Sequence, residues 1–291
     1  MNKDHDRLYD LTDTNSPAES LAEIKNILLL IDPPPDPSPI EKVYSDVLRL
    51  FKGEFPGYRA SNTKYHNLAH TSSTALAAAR LIHGLHVQGQ VFSPRIVQLC
   101  LIGALFHDTG LIQTEEEMEG TGAQYTIGHE ERSIAVMEKY LSDNGYSQKD
   151  IRDCSHVIKC TDLFLPIEDI PFESEEVRTM GKVLGTADLV AQMADRDYQE
   201  KLPLLFLEFH CLLHLGFGPG LSRFDGIRHG LLFFLFFYFF FSFVNGINTT
   251  QQNRPDADNN RHGTQCAGGE LGGRYHPQIL THADIFKRNC R

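Results

Sequence analysis

Residues 93–110 read SPRIVQLCLIGALFHDTG. Ser93 and Pro94 supply an N-cap followed by a proline at the first helical position, where its missing N–H costs nothing. The run from Ile96 to Phe106 is apolar on nearly every side, which predicts a central helix buried all round. At its end stand His107 and Asp108. Adjacent residues on a regular helix diverge by about 100°, so these two converge on one point only where the helix stops, and Gly110 marks such a stop. A carboxylate at the end of a buried helix needs a partner. A divalent cation is the partner that also accounts for the histidine.

Helical signals continue on both sides of this segment. Ser38-Pro39 reads as a cap and first helical position. Ile134, Met137, Tyr140 and Leu141 recur at helical spacing, with Gly145 suited to the helix end. Ser147-x-x-Asp150 is a capping-box-like start. Ser174-Glu175-Glu176 places acids in the first turn of a helix running to about Asp195. Strand signals do not recur, so the expected class is all-α with at least five helices and no fixed-period repeat. Residues 1–37 read as a flexible tail with a short helix and the stiff string DPPPDP (32–37). Residues 38–209 form the expected domain, and 210–291 are divergent and expected to be poorly ordered in part.

Composition narrows the function classes. The 291 residues carry 27 basic and 38 acidic side chains, a formal charge of −11. That balance disfavours a nucleic-acid binder, which offers Lys and Arg to phosphates. The six cysteines are dispersed without a CxxC pair or a leading signal peptide, which points to a reducing, cytoplasmic compartment. Fourteen histidines and no tryptophan direct attention to metal chemistry.

Four sites fit that chemistry: His66 and His70 in YHNLAH (65–70), His107-Asp108, His129 beside Glu130 in GHEE, and Asp188 in GTADLVAQMAD (185–195). His66 and His70, four apart, face the same side if they share one helical turn. Imidazole and carboxylate are the ligands that zinc, manganese, iron and magnesium take in mixed sites. The expectation is one or two divalent ions (Zn, Mg, Mn or Fe).

At these residues the chain resembles the HD-domain metal-dependent phosphohydrolase superfamily, whose ordered pattern H…HD…D matches His70, His107-Asp108 and Asp188. Within it, the Tyr65-His66-Asn67-Leu68-Ala69-His70 run is similar to the cyclic-nucleotide phosphodiesterase type. The resemblance covers roughly residues 40 to 209. It implies a helical bundle with a metal site among the helices, His70, His107, Asp108 and Asp188 as ligands, and Asp108 bridging two ions. It also implies His66 as the general acid that protonates the 3′-oxygen of a cyclic phosphodiester while metal-activated hydroxide attacks phosphorus. His129 and Glu130 resemble outer-shell or second-metal residues. The implied partner is a small phosphoester or nucleotide. The alternatives are an HD nucleotidase or phosphomonoesterase, and a regulatory module that binds metal with little or no turnover. Thr109-Gly110-Leu111-Ile112 stands where the cyclic-nucleotide enzymes carry a His-Pro-Gly segment.

Two further stretches compete for attention. HGTQCAG (262–268) is similar to the histidine motif of subtilisin-like serine proteases, but no serine follows Gly263, so that chemistry lacks its nucleophile. Leu231 to Val244 reads LLFFLFFYFFFSFV and holds 8 of the 19 phenylalanines. It is shorter than the about 20 residues a bilayer span requires, which leaves at most weak surface association through 231–244. The biased tail beyond Asn245 fits a slipped or misread frame.

Overall fold

The computed structural model describes residues 16–214. Its centre is helix α4, Pro94–Phe106, entered through Ser93 in extended conformation with Pro94 in the first turn. Ten of its residues, from Ile96 to Phe106, are buried. A helix apolar on nearly every side can satisfy that pattern only by packing almost all round, and α4 does. It contacts α2 (Ser38–Phe51), α3 (Leu68–Val87), α5 (His129–Asp143), α6 (Gln148–Lys159) and α7 (Glu175–Met193). The long α3 and α7 lie against each other, α1 (Pro17–Leu28) packs on α3, and α8 (Tyr198–His214) ends the described chain. Eight α-helices and short 3-10 turns are the helical elements among the described residues. Tyr58 and Thr114 form an isolated bridge, and no strand occurs among those residues. The all-α class is therefore observed.

Local chemistry sets most helix ends. Ser147 and Asp150 close a reciprocal capping box at α6, and the Ser174 hydroxyl accepts from Val177 N–H at α7. Gly145, at φ 78, follows the end of α5. At α2 the expected cap is displaced by one step: Ser38 is the first helical residue, and Asp36 Oδ1 accepts from its backbone N–H at 3.0 Å.

The packed body also begins earlier than Ser38. Ile24, Ile27, Leu28 and Ile31 belong to the main core cluster, so residues 17–31 are part of the bundle rather than of a tail. The helix is amphipathic, and burying its isoleucine face against α3 removes apolar surface that would otherwise meet water. At the other end, α8 continues past residue 209 to His214. The 231–244 run and the HGTQCAG motif lie outside the described residues. Among those described, no helix is long and apolar enough to cross a membrane. Cys100, Cys154 and Cys160 are free thiols.

Candidate metal centre

The central helix delivers His107 and Asp108 to one point because it stops there. His107 keeps helical backbone angles, Asp108 turns to φ −104 and ψ 0, and Thr109–Leu111 closes a 3-10 turn. Gly110 serves a further purpose. A Cβ on it would sit 2.1 Å from the His129 carbonyl oxygen and 2.6 Å from Ser133 N, so only glycine admits the start of α5 this close. Ser133 ties the two together, accepting from Gly110 N–H at 2.8 Å and donating to the His107 carbonyl. Arg132 adds a bond from Nε to the Gly110 carbonyl at 2.8 Å, pairs with Glu117, and lies over the Tyr125 ring. These contacts set His129 facing Asp108.

His66 and His70 reach the same place by a different route from the one their spacing suggests. Helix α3 starts only at Leu68. Asn67 is its cap, with Oδ1 accepting from Ala69 N–H at 2.9 Å and His70 N–H at 3.3 Å. His66 therefore precedes the helix and does not share a turn with His70, yet the two rings meet edge to face, 5.7 Å apart. Asp188 comes from the C-terminal half of α7.

All seven residues singled out in the sequence, His66, His70, His107, Asp108, His129, Glu130 and Asp188, fall in one cluster. His70, His107 and Asp108 have ligand atoms within 4.8 Å of one another and can hold a metal ion. His70 Nε2 lies 2.9 Å from Asp188 Oδ1 and 3.5 Å from Asp108 Oδ2. His107 Nε2 is 3.3 Å from Asp108 Oδ2 and 3.5 Å from Asp188 Oδ1. The other Asp108 oxygen, Oδ1, is 3.3 Å from His129 Nε2. One carboxylate thus faces different histidines with its two oxygens. Glu130 Oε2 stands 3.4 Å from His129 Nδ1.

Hydrogen bonds at the far side of two rings decide what faces the cluster. His107 Nδ1–H donates to the Ala104 carbonyl and His129 Nδ1–H to the Thr126 carbonyl, each at 2.8 Å. In the neutral rings both Nε2 atoms then present lone pairs inward. His107 Nε2 and Asp108 Oδ2 are buried and have no hydrogen-bond partner. Leaving both atoms unpaired would be costly, and either a proton on His107 Nε2 or a cation coordinated between the two removes that cost. The donor set fits a divalent ion on this ground.

The electrostatics carry the same message. Burial lowers the His107 pKa, but the Asp108 charge, Asp188 and the Ala104 carbonyl outweigh it and raise it to about 9. Burial likewise lowers His129, while Asp108 and Glu130 raise it to about 9. Asp108 is raised by burial and then pulled well below the carboxylate range by the surrounding histidines. Asp188 behaves the same way, with His107 and His70 the opposing influences. Glu130 is raised, burial dominating over His129. The site is a cluster of anions that stabilises positive charge, whether protons or a metal.

Glu208 was not singled out in the sequence. Its Oε2 accepts from His66 Nδ1–H at 2.7 Å and its Oε1 from Tyr65 N–H at 2.6 Å. Its signal was present: it is the lone carboxylate between Lys201 and His214 in a stretch of α8 that is apolar apart from His210, and a buried lone charge demands a partner. Burial lowers the His66 pKa, but Asp108 and Glu208 together raise it above the ordinary value.

Asp188 has 23 % of its side chain exposed, against 1 % for His107 and 2 % for Asp108, so the cluster opens to solvent on its α7 side. Comparison of the chain with protein-family models, curated proteins and solved structures gives no match.

Proposed function

We propose that the chain is a metal-dependent phosphohydrolase, acting on phosphodiesters of the 3′,5′-cyclic nucleotide type. The observation that carries this reading is the pair of buried polar atoms without a hydrogen-bond partner, His107 Nε2 and Asp108 Oδ2, 3.3 Å apart and flanked by His70 and Asp188. His70, His107, Asp108 and Asp188 would hold one ion, and Asp108 Oδ1 with His129 would offer a second position. A divalent ion there supplies a Lewis acid for a phosphoryl oxygen and lowers the pKa of a hydrolytic water.

The protein's own residues supply the rest. His66 is held by Glu208 with its Nδ1 proton engaged, which favours the imidazolium and leaves Nε2 to pass a proton to the departing oxygen. A diester needs that donor, because an alkoxide leaves poorly. The buried side of the cluster, at His107 and Asp108, excludes water, while the Asp188 side admits substrate.

The test is metal analysis of the purified chain followed by turnover. Chelator-treated protein is reloaded with manganese, magnesium or zinc and offered cyclic nucleotides, nucleoside phosphates and bis-(p-nitrophenyl) phosphate. Hydrolysis of a cyclic nucleotide or the diester is expected. Hydrolysis of monoesters alone would reassign the chain as a phosphomonoesterase. Metal bound without turnover on any of them would overturn the enzymatic reading and leave a metal-binding module.

A further inference from the structure

A cavity of about 100 Å³ lies between α2, α5, the segment after α2 and the end of α4. The rings of Phe55, Tyr58, Phe106 and Tyr140 line it, with Leu50 and Val136 beside them. Phe106 is its most deeply buried ring and immediately precedes His107, but none of the His and Asp side chains of the cluster lines the cavity.

We propose that this cavity binds a ligand through one small, uncharged aromatic ring, with the ligand's polar part left in solvent. Size favours a single ring: the space is well below that of a drug-sized pocket and is of the order at which apolar cavities take a benzene-like guest. The surrounding rings are tilted, Phe106 against Tyr140 by 47° at 5.2 Å and Phe55 against Tyr58 by 59° at 6.4 Å. Such a wall offers both faces and edges to a further ring.

Charge decides against an ionic guest. The cavity carries Asp46, Asp143 and Lys139, but each is engaged within the protein. Asp46 accepts from Tyr140 Oη–H at 2.7 Å and from Lys42 at 3.1 Å, and Lys139 pairs with Asp143 at 2.9 Å. A cation would meet Lys139 in the lining, and Lys42 and Arg49, from outside it, already lie over the Tyr140 and Phe55 rings. An anion would have to displace the carboxylates. A neutral ring disturbs none of these pairs.

The test uses the full chain and toluene as probe, with benzoate as the charged control. Saturation-transfer NMR should show transfer to toluene and at least tenfold less to benzoate. In Val136→Phe, which places a ring into the half-buried wall, toluene transfer should be lost while circular dichroism stays native. A ¹³C-methyl titration of the unaltered protein guards against a variant that fails to fold: shifts should concentrate on Val47, Leu50 and Val136. Absent transfer, undiminished transfer in folded Val136→Phe, equal transfer to benzoate, or methyl shifts centred elsewhere would each overturn the assignment.

Discussion

His66 donates its Nδ1 proton to Glu208 Oε2 at 2.7 Å, joining the turn ahead of α3 to α8 across 142 positions of sequence. The same carboxylate accepts from Tyr65 N–H, so it fixes both the imidazole and the backbone that carries it. With the carboxylate present, Asp108 and Glu208 keep the His66 pKa above its ordinary value against the effect of burial.

Replacing that carboxylate tests the proton-donor role proposed for His66. Glu208→Gln keeps a hydrogen-bond acceptor but removes the charge, so the His66 pKa should fall. A general acid works only while protonated, and the alkaline limb of the rate profile should therefore move to lower pH. Turnover at neutral pH should drop about tenfold, short of the 10²–10⁴ expected for full loss of a general acid. Metal content should be unchanged. A rate profile that keeps its alkaline limb in place would show that Glu208 does not act through His66.

Asp108 is the residue on which both halves of the cluster depend, since Oδ2 faces His70 and His107 while Oδ1 faces His129. Asp108→Ala should empty the site, measured as metal per chain by elemental analysis after dialysis. Asp188→Ala removes a more exposed carboxylate that pairs with His70 and His107, and should weaken retention by at least the roughly 10- to 100-fold that loss of an outer-shell partner brings. A full metal complement in Asp108→Ala would refute its assignment as a ligand.

The histidine pKa values set a pH signature. His107 and His129 rise from an ordinary 6.5 to about 9 in the fold without metal. Their contribution to stability is complete below about 6.5 and is lost as pH climbs through 9. Metal binding needs the neutral rings, so protons compete with it at low pH. In chelator, the melting temperature should therefore fall between pH 6.5 and 9, by about 2–4 °C for each kcal/mol lost. The increment produced by added manganese or zinc should grow over the same interval. Parallel melting curves with and without metal would refute this coupling.

The helical class and the cluster were legible because each rested on a local pattern. The apolar run of α4, interrupted only by Gln98, demanded burial, and the HD pair at its end demanded a break and a counter-charge. What escaped the sequence was set by long-range packing. The four-residue spacing of His66 and His70 suggested a shared helical turn, but Asn67 caps α3 between them, and the rings meet through the path of the preceding chain. The isoleucines of α1 lie before a proline string that reads as a linker, and only their burial against α3 places them in the core. Glu208 carries no motif; its role depends on α8 arriving beside a histidine far away in sequence.

Gly110 shows how a residue legible for one reason can matter for another. As a helix-stop signal it would tolerate replacement, because its backbone angles are open to other residues. Close approach makes the opposite prediction: an added methyl meets the His129 carbonyl oxygen at 2.1 Å and Ser133 N at 2.6 Å, both backbone atoms that cannot swing aside. Gly110→Ala must push α5 away from the HD turn. The expected loss is about 3 kcal/mol, the upper part of the range for overpacking, measured by urea unfolding in chelator. The displacement would also carry His129 away from Asp108 Oδ1, so a second metal equivalent should weaken more than the first. A Gly110→Ala protein that unfolds at the same urea concentration as the unaltered chain would show that α5 does not need this contact.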